Sequence, residues 1–456
     1  MGAITISSEN DPGNVIDGKP TDWVSAQRYT SRRKPLIGAY VALVLFMAIY
    51  CARPEDWVPG LSNVPLAKIT GILAVLALVF SLRHIRQHLP REVFYLAFLV
   101  AQLFLASVLS PVWRGGAVQL TLDFAKVLIV VIVMTVAVNT SKRLRLLIAI
   151  QAASVAMISA VTVLKGRALG GRLEGMLGGN YSNPNDLAIA IVISIPMCLA
   201  LLFLTRNRLW RAVWALAILT MAYVVFLTGS RGGFIALMST AVVCVWHFAI
   251  RERRRYFFVL VPLAGVILLL SAGDMVSKRL NGTFNQKDDT ASAYDSAQQR
   301  QMLFWRSINI TAEHPLFGVG PGNFEQLSGA WHETHNTYTQ LSSEGGLPAL
   351  VLYALILWHG FTNVRTTNRL ASRRTESSLL AGVLHASLVG YAVGSVFDSV
   401  GFQFFPYLLV AYTTALFSIA KNTVSHSKYS NSVSQSPLNN EAYAHTAESD
   451  MSWHFG

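Results

Sequence analysis

The sequence is organised around apolar blocks about as long as a bilayer is thick. They fall at about 36–52, 66–82, 93–112, 118–138, 144–164, 186–205, 209–227, 233–250, 256–273, 347–364, 379–397 and 403–420. Crossing a hydrocarbon core of about 30 Å takes about 20 apolar residues in a helix. Lipid offers the backbone no hydrogen-bond partner, so a spanning segment is either a helix or part of a closed barrel. Barrel strands alternate in character over short segments; a run such as AKVLIVVIVMTVAV (125–138) does not. Composition agrees, with 53% of residues hydrophobic and 13% charged, against about 25% charged in a soluble domain. The expected fold is an all-α polytopic membrane protein of about twelve transmembrane helices.

A net charge of +13 suits either nucleic acid or the bias of Lys and Arg toward cytoplasmic loops. With the N-terminus placed in the cytoplasm, inside segments hold 24 of the 37 basic residues and outside loops hold 11. Every short inside loop is basic. The bias accounts for the charge, and no basic folded domain is left over to bind nucleic acid. The first 30 residues contain no apolar core, so no cleavable signal peptide is expected and the first span serves as an uncleaved anchor. Cys51, Cys198 and Cys244 fall within spans, which excludes a disulfide or zinc framework.

Three regions follow: an N-terminal cytoplasmic segment at 1–34, a transmembrane domain at 35–421, and a Ser- and Asn-rich tail at 422–456 expected to be disordered. Only two outside loops are long, at about 165–185 and about 274–346, the second lying between the ninth and tenth spans. Its first part, LNGTFNQKDDTASAYDSAQQR, reads as irregular. QMLFWRSINITAEH then has helical spacing, with Met302, Trp305, Ile308 and Ala312 on one face. HPLFGVGPGNF is a turn region, and a short helix at about 331–344 is stopped by Gly345 and Gly346. Pro348 follows near the start of the next span, where its missing N–H does no harm. The loop is expected to form a partly helical cap.

Several motifs carry little. HETH (332–335) sets its histidines three apart, where a zinc protease needs four, and no third ligand is evident. GVGPGN (318–323) has no following βαβ unit and is a turn rather than a dinucleotide site. Asp288 and Asp289 are adjacent, not spaced as Asp-x-Asp. Asp123 and Lys126 share a face of the fourth span, either as a buried self-neutralising pair or as the lining of a polar cavity. The outside arginines say more. Arg231 sits in TGSRGG, where Gly229, Gly232 and Gly233 remove neighbouring bulk so that a ligand can approach. Arg300 begins the cap helix, and Arg167 and Arg172 lie in the other long loop. Arginines placed against the positive-inside trend need a local reason, and a phosphate, which a guanidinium grips in bidentate fashion, supplies one.

HNTYTQLSSEGGLPAL (335–350) resembles the signature of the O-antigen ligase and polymerase superfamily, in which His-Asn is followed by a Leu and then Glu-x-Gly at the entry to a span. NPNDLA (183–188), TGSRGGFIAL (228–237) and RQMLFWRSINITAEHPLFGVGPGNF (300–324) agree with it in kind and order, so the resemblance runs from about 60 to 420. It implies a metal-independent, inverting glycosyltransferase of the GT-C kind, with no cofactor. Such an enzyme moves a glycan from undecaprenyl pyrophosphate to a glycan, lipid or protein acceptor at the periplasmic face of the bacterial inner membrane. Carried over, the family's essential arginines correspond to Arg231 and Arg300, and its essential histidine to His335. His332 has no counterpart. Arg167, Arg172, Asn336 and Lys126 are candidate substrate-binding residues. Glu344 is left with two roles, fixing the cap or holding His335, and Asp398 has none assigned. A secondary transporter for a polar solute is the rival. It would place charges at mid-membrane within internal repeats, whereas here the ionisable groups gather at the outer face and no repeat is evident.

Overall fold

The computed structural model describes residues 36–58, 60–61, 64–81, 89–169, 172–174, 181, 183–271, 291–329, 331–372 and 375–434. A helix answers each apolar block: α1 (Ile37–Ala52), α2 (Leu66–Ser81), α3 (Arg91–Val108), α4 (Arg114–Ala137), α5 (Ser141–Lys165), α6 (Pro184–Leu204), α7 (Arg208–Thr228), α8 (Arg231–Val245, extended by a π turn over Trp246–Arg251) and α9 (Phe257–Ser271). The cap helix α10 (Ala291–Glu313) comes next, then α11 (Thr337–Leu370), α12 (Glu376–Gly394) and α13 (Phe405–Ser434). Eight of these are long and apolar enough to cross a membrane, and the apolar helices Ile37–Ala52, Lys68–Val79 and Phe257–Ile267 are shorter. Among the described residues the architecture is all-helical apart from one small hairpin, β1 (Arg167–Leu169) paired antiparallel with β2 (Arg172–Glu174). The helices form one compact unit that begins at Ile37.

Polar caps start the helices where the apolar blocks end. Thr140, Asn183, Asn207, Ser230, Asn336 and Thr375 each accept a backbone N–H of the helix they precede. Between caps, small residues set the spacing. A Cβ on Gly390 of α12 would lie 2.1 Å from Thr240 Oγ1 of α8 and 2.8 Å from Val192 of α6. Ser387 Oγ of α12 donates to Ile193 O of α6 at 2.7 Å. Close backbone approach at small residues is how helices associate where lipid gives no hydrophobic advantage.

Helix α11 is broken. Gly346 adopts φ 79° and ψ 172°, a region essentially reserved for glycine, and Pro348 has no N–H to offer. The break leaves a buried half-helix, residues 337–345, ahead of a long span. Its orphaned carbonyls are met by the loop after α10: the Val319 and Gly320 N–H groups donate to Ser343 O (2.9 Å) and Glu344 O (2.8 Å). The Leu347 N–H donates to Pro315 O at 2.8 Å, and Gln102 of α3 donates to Leu316 O (2.6 Å) and Gly345 O (2.9 Å). The loop approaches this closely because Gly318 is left-handed at φ 64° and a Cβ there would sit 2.5 Å from the Glu344 carbonyl carbon. GVGPGN is thus a turn, with Gly318, Gly320 and Gly322 all at positive φ.

Three expectations change. The short helix expected at 331–344 starts at Thr337 and continues through the kink into the span, because neighbouring groups satisfy the broken turn. The cap helix begins at Ala291, inside the stretch read as irregular. Helix α13 runs to Ser434, so the first part of the tail expected to be disordered is helical. The sequence left open the direction of the face carrying Met302, Trp305 and Ile308; it points outward, while Leu303 and Ile310 form the cap core with Val319 and Phe324. Residues 1–34, Asp288, Asp289 and 435–456 lie outside the described residues.

Replacing Gly346 with Ala would force a side chain to within 2.4 Å of Leu316 O and impose a backbone penalty of about 1–3 kcal/mol. The expected result is a lower melting temperature of the detergent-solubilised protein; an unchanged one contradicts the break.

Candidate functional site

Arg231 opens α8 directly after its cap Ser230, whose Oγ accepts the Gly233 N–H at 3.1 Å. A Cβ on Gly232 would lie 2.4 Å from Phe397 Cβ, and one on Gly233 2.6 Å from Ala188 Cβ. Gly232 and Gly233 therefore seat α8 against α6 and against the loop between α12 and α13; their smallness serves helix packing rather than ligand approach. Arg231 itself remains exposed at this junction.

Arg300 comes to the same place from the cap. Burial and the positive charge of Arg231 push its guanidinium down from its ordinary value, and Asp398 opposes them. Two arginines from different elements thus sit within electrostatic reach of each other and of a buried acid. Asp398, 2% exposed, lies in the loop between α12 and α13, and its carboxyl is hydrogen-bonded to that of Asp186 in the first turn of α6. Two carboxyl groups share a hydrogen bond only when one of them carries the proton. Gln403 also donates to Asp186 Oδ1, at 2.9 Å. Glu333 completes the group. Loss of hydration around its carboxyl, then repulsion from Asp398 and Glu325, outweigh a hydrogen bond from Ser399 and raise it to about 7.

His335 is held beside these acids by the backbone. Thr334 Oγ1 pairs with Ser399 Oγ at 2.9 Å. The Thr337 N–H donates to Ser395 O at 2.8 Å, Thr337 Oγ1 donates to Asp398 O at 2.7 Å and receives the Val400 N–H at 3.0 Å. Residues on both sides of His335 are therefore stitched to the segment 395–400. His335 itself is left-handed, with φ 53°, which is uncommon for a residue other than glycine, and its Nδ1 is enclosed by protein. Such strain persists only where the surroundings over-determine it, as two layers of hydrogen bonds do here. Among the described residues no group of three or more His, Cys, Asp or Glu is arranged to hold a metal ion.

Residues 216–354, which contain Arg231, Arg300, Glu333, His335 and the kink, match the O-antigen ligase family. This stretch is similar to an O-antigen ligase domain, and the similarity supports a membrane glycosyltransferase. A chain from a solved structure titled "Structural coordination of polymerization and crosslinking by a peptidoglycan synthase complex" aligns over 72% of this chain and 95% of its own, at 15% identity and a TM-score of 0.36, too slight a likeness to carry an argument. No curated protein matches the chain.

Within the matched stretch, the structure brings Arg231 and Arg300 within electrostatic reach of each other and holds His335 on the adjoining turn. Asn336 caps α11, its Oδ1 accepting the Tyr338 (2.9 Å) and Thr339 (3.2 Å) N–H groups. His332 is exposed. Arg167 and Arg172 lie on the hairpin, in register with Glu174 and Leu169, and β2 runs against α6 and α7. Lys126 bonds Asp123 as expected, but the pair is 60% and 48% exposed, so it is neither a buried pair nor the lining of an internal cavity. Asp186, Glu333 and Asp398 were not expected. The signal for Asp186 was present in NPND, where an acid follows a cap into a helix.

Glu344 fixes the cap. It is fully enclosed, and its carboxyl accepts the backbone N–H groups of Gly322 and, at 3.2 Å, Phe324. Glu344→Ala removes both bonds, each worth about 0.5–1.5 kcal/mol. Hydrogen exchange at the Gly322 and Phe324 amides is expected to speed up strongly in Glu344→Ala and far less in Glu344→Gln, which keeps an acceptor. Equal protection in all three proteins would remove Glu344 from this role.

Proposed function

We propose that this glycosyltransferase transfers a glycan from undecaprenyl pyrophosphate to an acceptor hydroxyl on the periplasmic face of the bacterial inner membrane, without a metal and with inversion. The observation that carries the proposal is the meeting of Arg231 and Arg300, where burial and then the positive charge of Arg231 hold the Arg300 guanidinium below its ordinary value. Like charges brought together on separate elements are relieved by an anion between them, and two guanidinium forks suit a pyrophosphate. The leaving group needs negative charge stabilised more than it needs a proton, and charge placed in advance is usually the largest catalytic term.

The acceptor oxygen attacks the anomeric carbon as the bond to the phosphate oxygen breaks, and the electron pair departs with the pyrophosphate. A single displacement inverts the centre. The acceptor proton passes to His335 as general base; with Nδ1 enclosed, Nε2 is the nitrogen left for it. Asp398, on the loop bonded to both sides of His335, favours the imidazolium that forms. The donor's tail stays in lipid while its phosphates sit at the helix ends that carry Asp186, Arg231 and the start of α11. Arg167 and Arg172 are the candidates for contact with the glycan, and both termini, 1–34 and the tail, lie in the cytoplasm on either side of a transmembrane domain at 35–421.

His335→Ala and Arg231→Ala are expected to abolish transfer to every acceptor, with expression and membrane insertion unchanged, when purified protein is incubated with an undecaprenyl-pyrophosphate glycan. Full activity of His335→Ala would remove the base. EDTA is expected to leave the rate unchanged; inhibition reversed by a divalent metal would overturn the metal-free step. Glu333 adds a pH dependence. Below about 7 it is protonated and stops repelling the donor phosphates, so the KM for donor should fall as pH drops through that value. Glu333→Gln should flatten this, and a variant that keeps the full slope would assign the titration elsewhere.

A further inference from the structure

Helix α10 has three faces rather than two. Leu303, Ser307, Ile310 and Thr311 are buried against the protein. Arg306, Asn309 and Glu313 form an exposed polar face at helical spacing. Between them runs an exposed apolar face of Phe304 (36%), Trp305 (58%), Ile308 (37%) and Ala312. A helix with one side on protein and another polar has reason to keep a third apolar side only if something apolar covers it.

The apolar face continues past the helix. Leu316, 63% exposed, and Phe317 follow α10; their backbone lies against Gly346, since a Cβ there would be 2.4 Å from Leu316 O and 2.8 Å from Phe317 N. Leu347 and Val351 come next, exposed and apolar, on the span that starts at that point. The cap's apolar face and the outward face of α11 thus join into one surface at the level where α11 enters the bilayer.

We propose that α10 lies in the outer membrane interface, with Phe304, Trp305, Ile308 and Leu316 in the boundary between headgroups and acyl chains and Arg306, Asn309 and Glu313 in water. The occupant of the face is the bilayer itself. Continuity with the lipid-facing side of α11 selects it, and an indole at the boundary with its apolar body in lipid fits the distribution of Trp in membrane proteins. Arg300, on the same helix, is thereby held at a fixed depth beside Arg231. The proposal depends on the chain's being a membrane protein and not on the chemistry assigned to the site.

The three native cysteines are buried, so an introduced surface cysteine can be labelled selectively. Nitroxide labels at Phe304→Cys and Ile308→Cys, and at Asn309→Cys and Glu313→Cys on the polar face, are placed in the full chain in lipid nanodiscs without donor. Power saturation then compares collision with oxygen, which concentrates in lipid, against a water-soluble nickel chelate. Labels at 304 and 308 should favour oxygen, and labels at 309 and 313 should favour nickel. Nickel preference at all four positions overturns the proposal, because the face is then in water and open to a donor tail. Protection from both reagents at 304 and 308 also overturns it. Dipolar broadening would then identify a second copy as the cover, and its absence another segment of this chain. All four substitutions fall on exposed positions, and two labels on each face keep the comparison intact if one variant fails to insert.

Discussion

The break at Gly346 organises the molecule. A continuous α11 would satisfy its own carbonyls and offer the cap nothing to hold. Broken, it exposes the carbonyls of Ser343 and Glu344 inside the protein, and the loop after α10 answers them with the N–H groups of Val319 and Gly320. A buried carbonyl left unmet costs about 1–3 kcal/mol, more than the net gain of a typical hydrogen bond, so loop and half-helix are each other's requirement. Everything in the site hangs from this joint. The half-helix begins at Asn336, beside His335, and the loop leads back along α10 to Arg300.

The electrostatics of the site follow from where these elements end. Asp186, Arg231, His335 and Asp398 all lie at a helix start or in a loop between helices, at the ends of the apolar blocks. Protein replaces most of the hydration of Asp398 and much of that of Arg300, while Arg231 stays exposed. That lowers the effective dielectric and strengthens every interaction among them. The cost of holding two arginines near each other is moderated by Asp398, and the hydrogen bond between the Asp186 and Asp398 carboxyl groups limits the negative charge an anionic ligand would meet.

The positions of the spanning helices were legible in the sequence because block length and polarity change together at each membrane boundary. The orientation of α10 was not. Met302, Trp305 and Ile308 make an apolar stripe, but so do Leu303 and Ile310, and lipid and protein interior are equally apolar; periodicity alone does not say which stripe meets which. Buried Ser307 and Thr311 disguised the protein-facing side further. Arg231, Arg300 and His335 stood out by lying in short motifs. Asp398 did not, since its partner Asp186 comes from a distant part of the chain and its own loop has no pattern. The exposure of Asp123 and Lys126 was hidden for a related reason: a shared helix face is visible in the sequence, and the direction it points depends on which neighbours α4 packs against.

Glu344 shows what a buried acid can add that apolar packing does not. Leu303, Ile310, Val319 and Phe324 already bury the underside of the cap, and hydrophobic contact tolerates sliding because it has no direction. A carboxyl that accepts two particular backbone N–H groups, those of Gly322 and Phe324, is satisfied in one register only. Its enclosure makes any other register expensive, since the acid would then lie buried and unmet. Stability does not require this, because an apolar residue of the same size often holds a core as well or better. Register does: a shift of the loop by one residue would rotate α10 and carry Arg300 away from Arg231. The acid at the end of the half-helix and the histidine before its start are thus two ends of one device, in which the first fixes where the second meets its arginines.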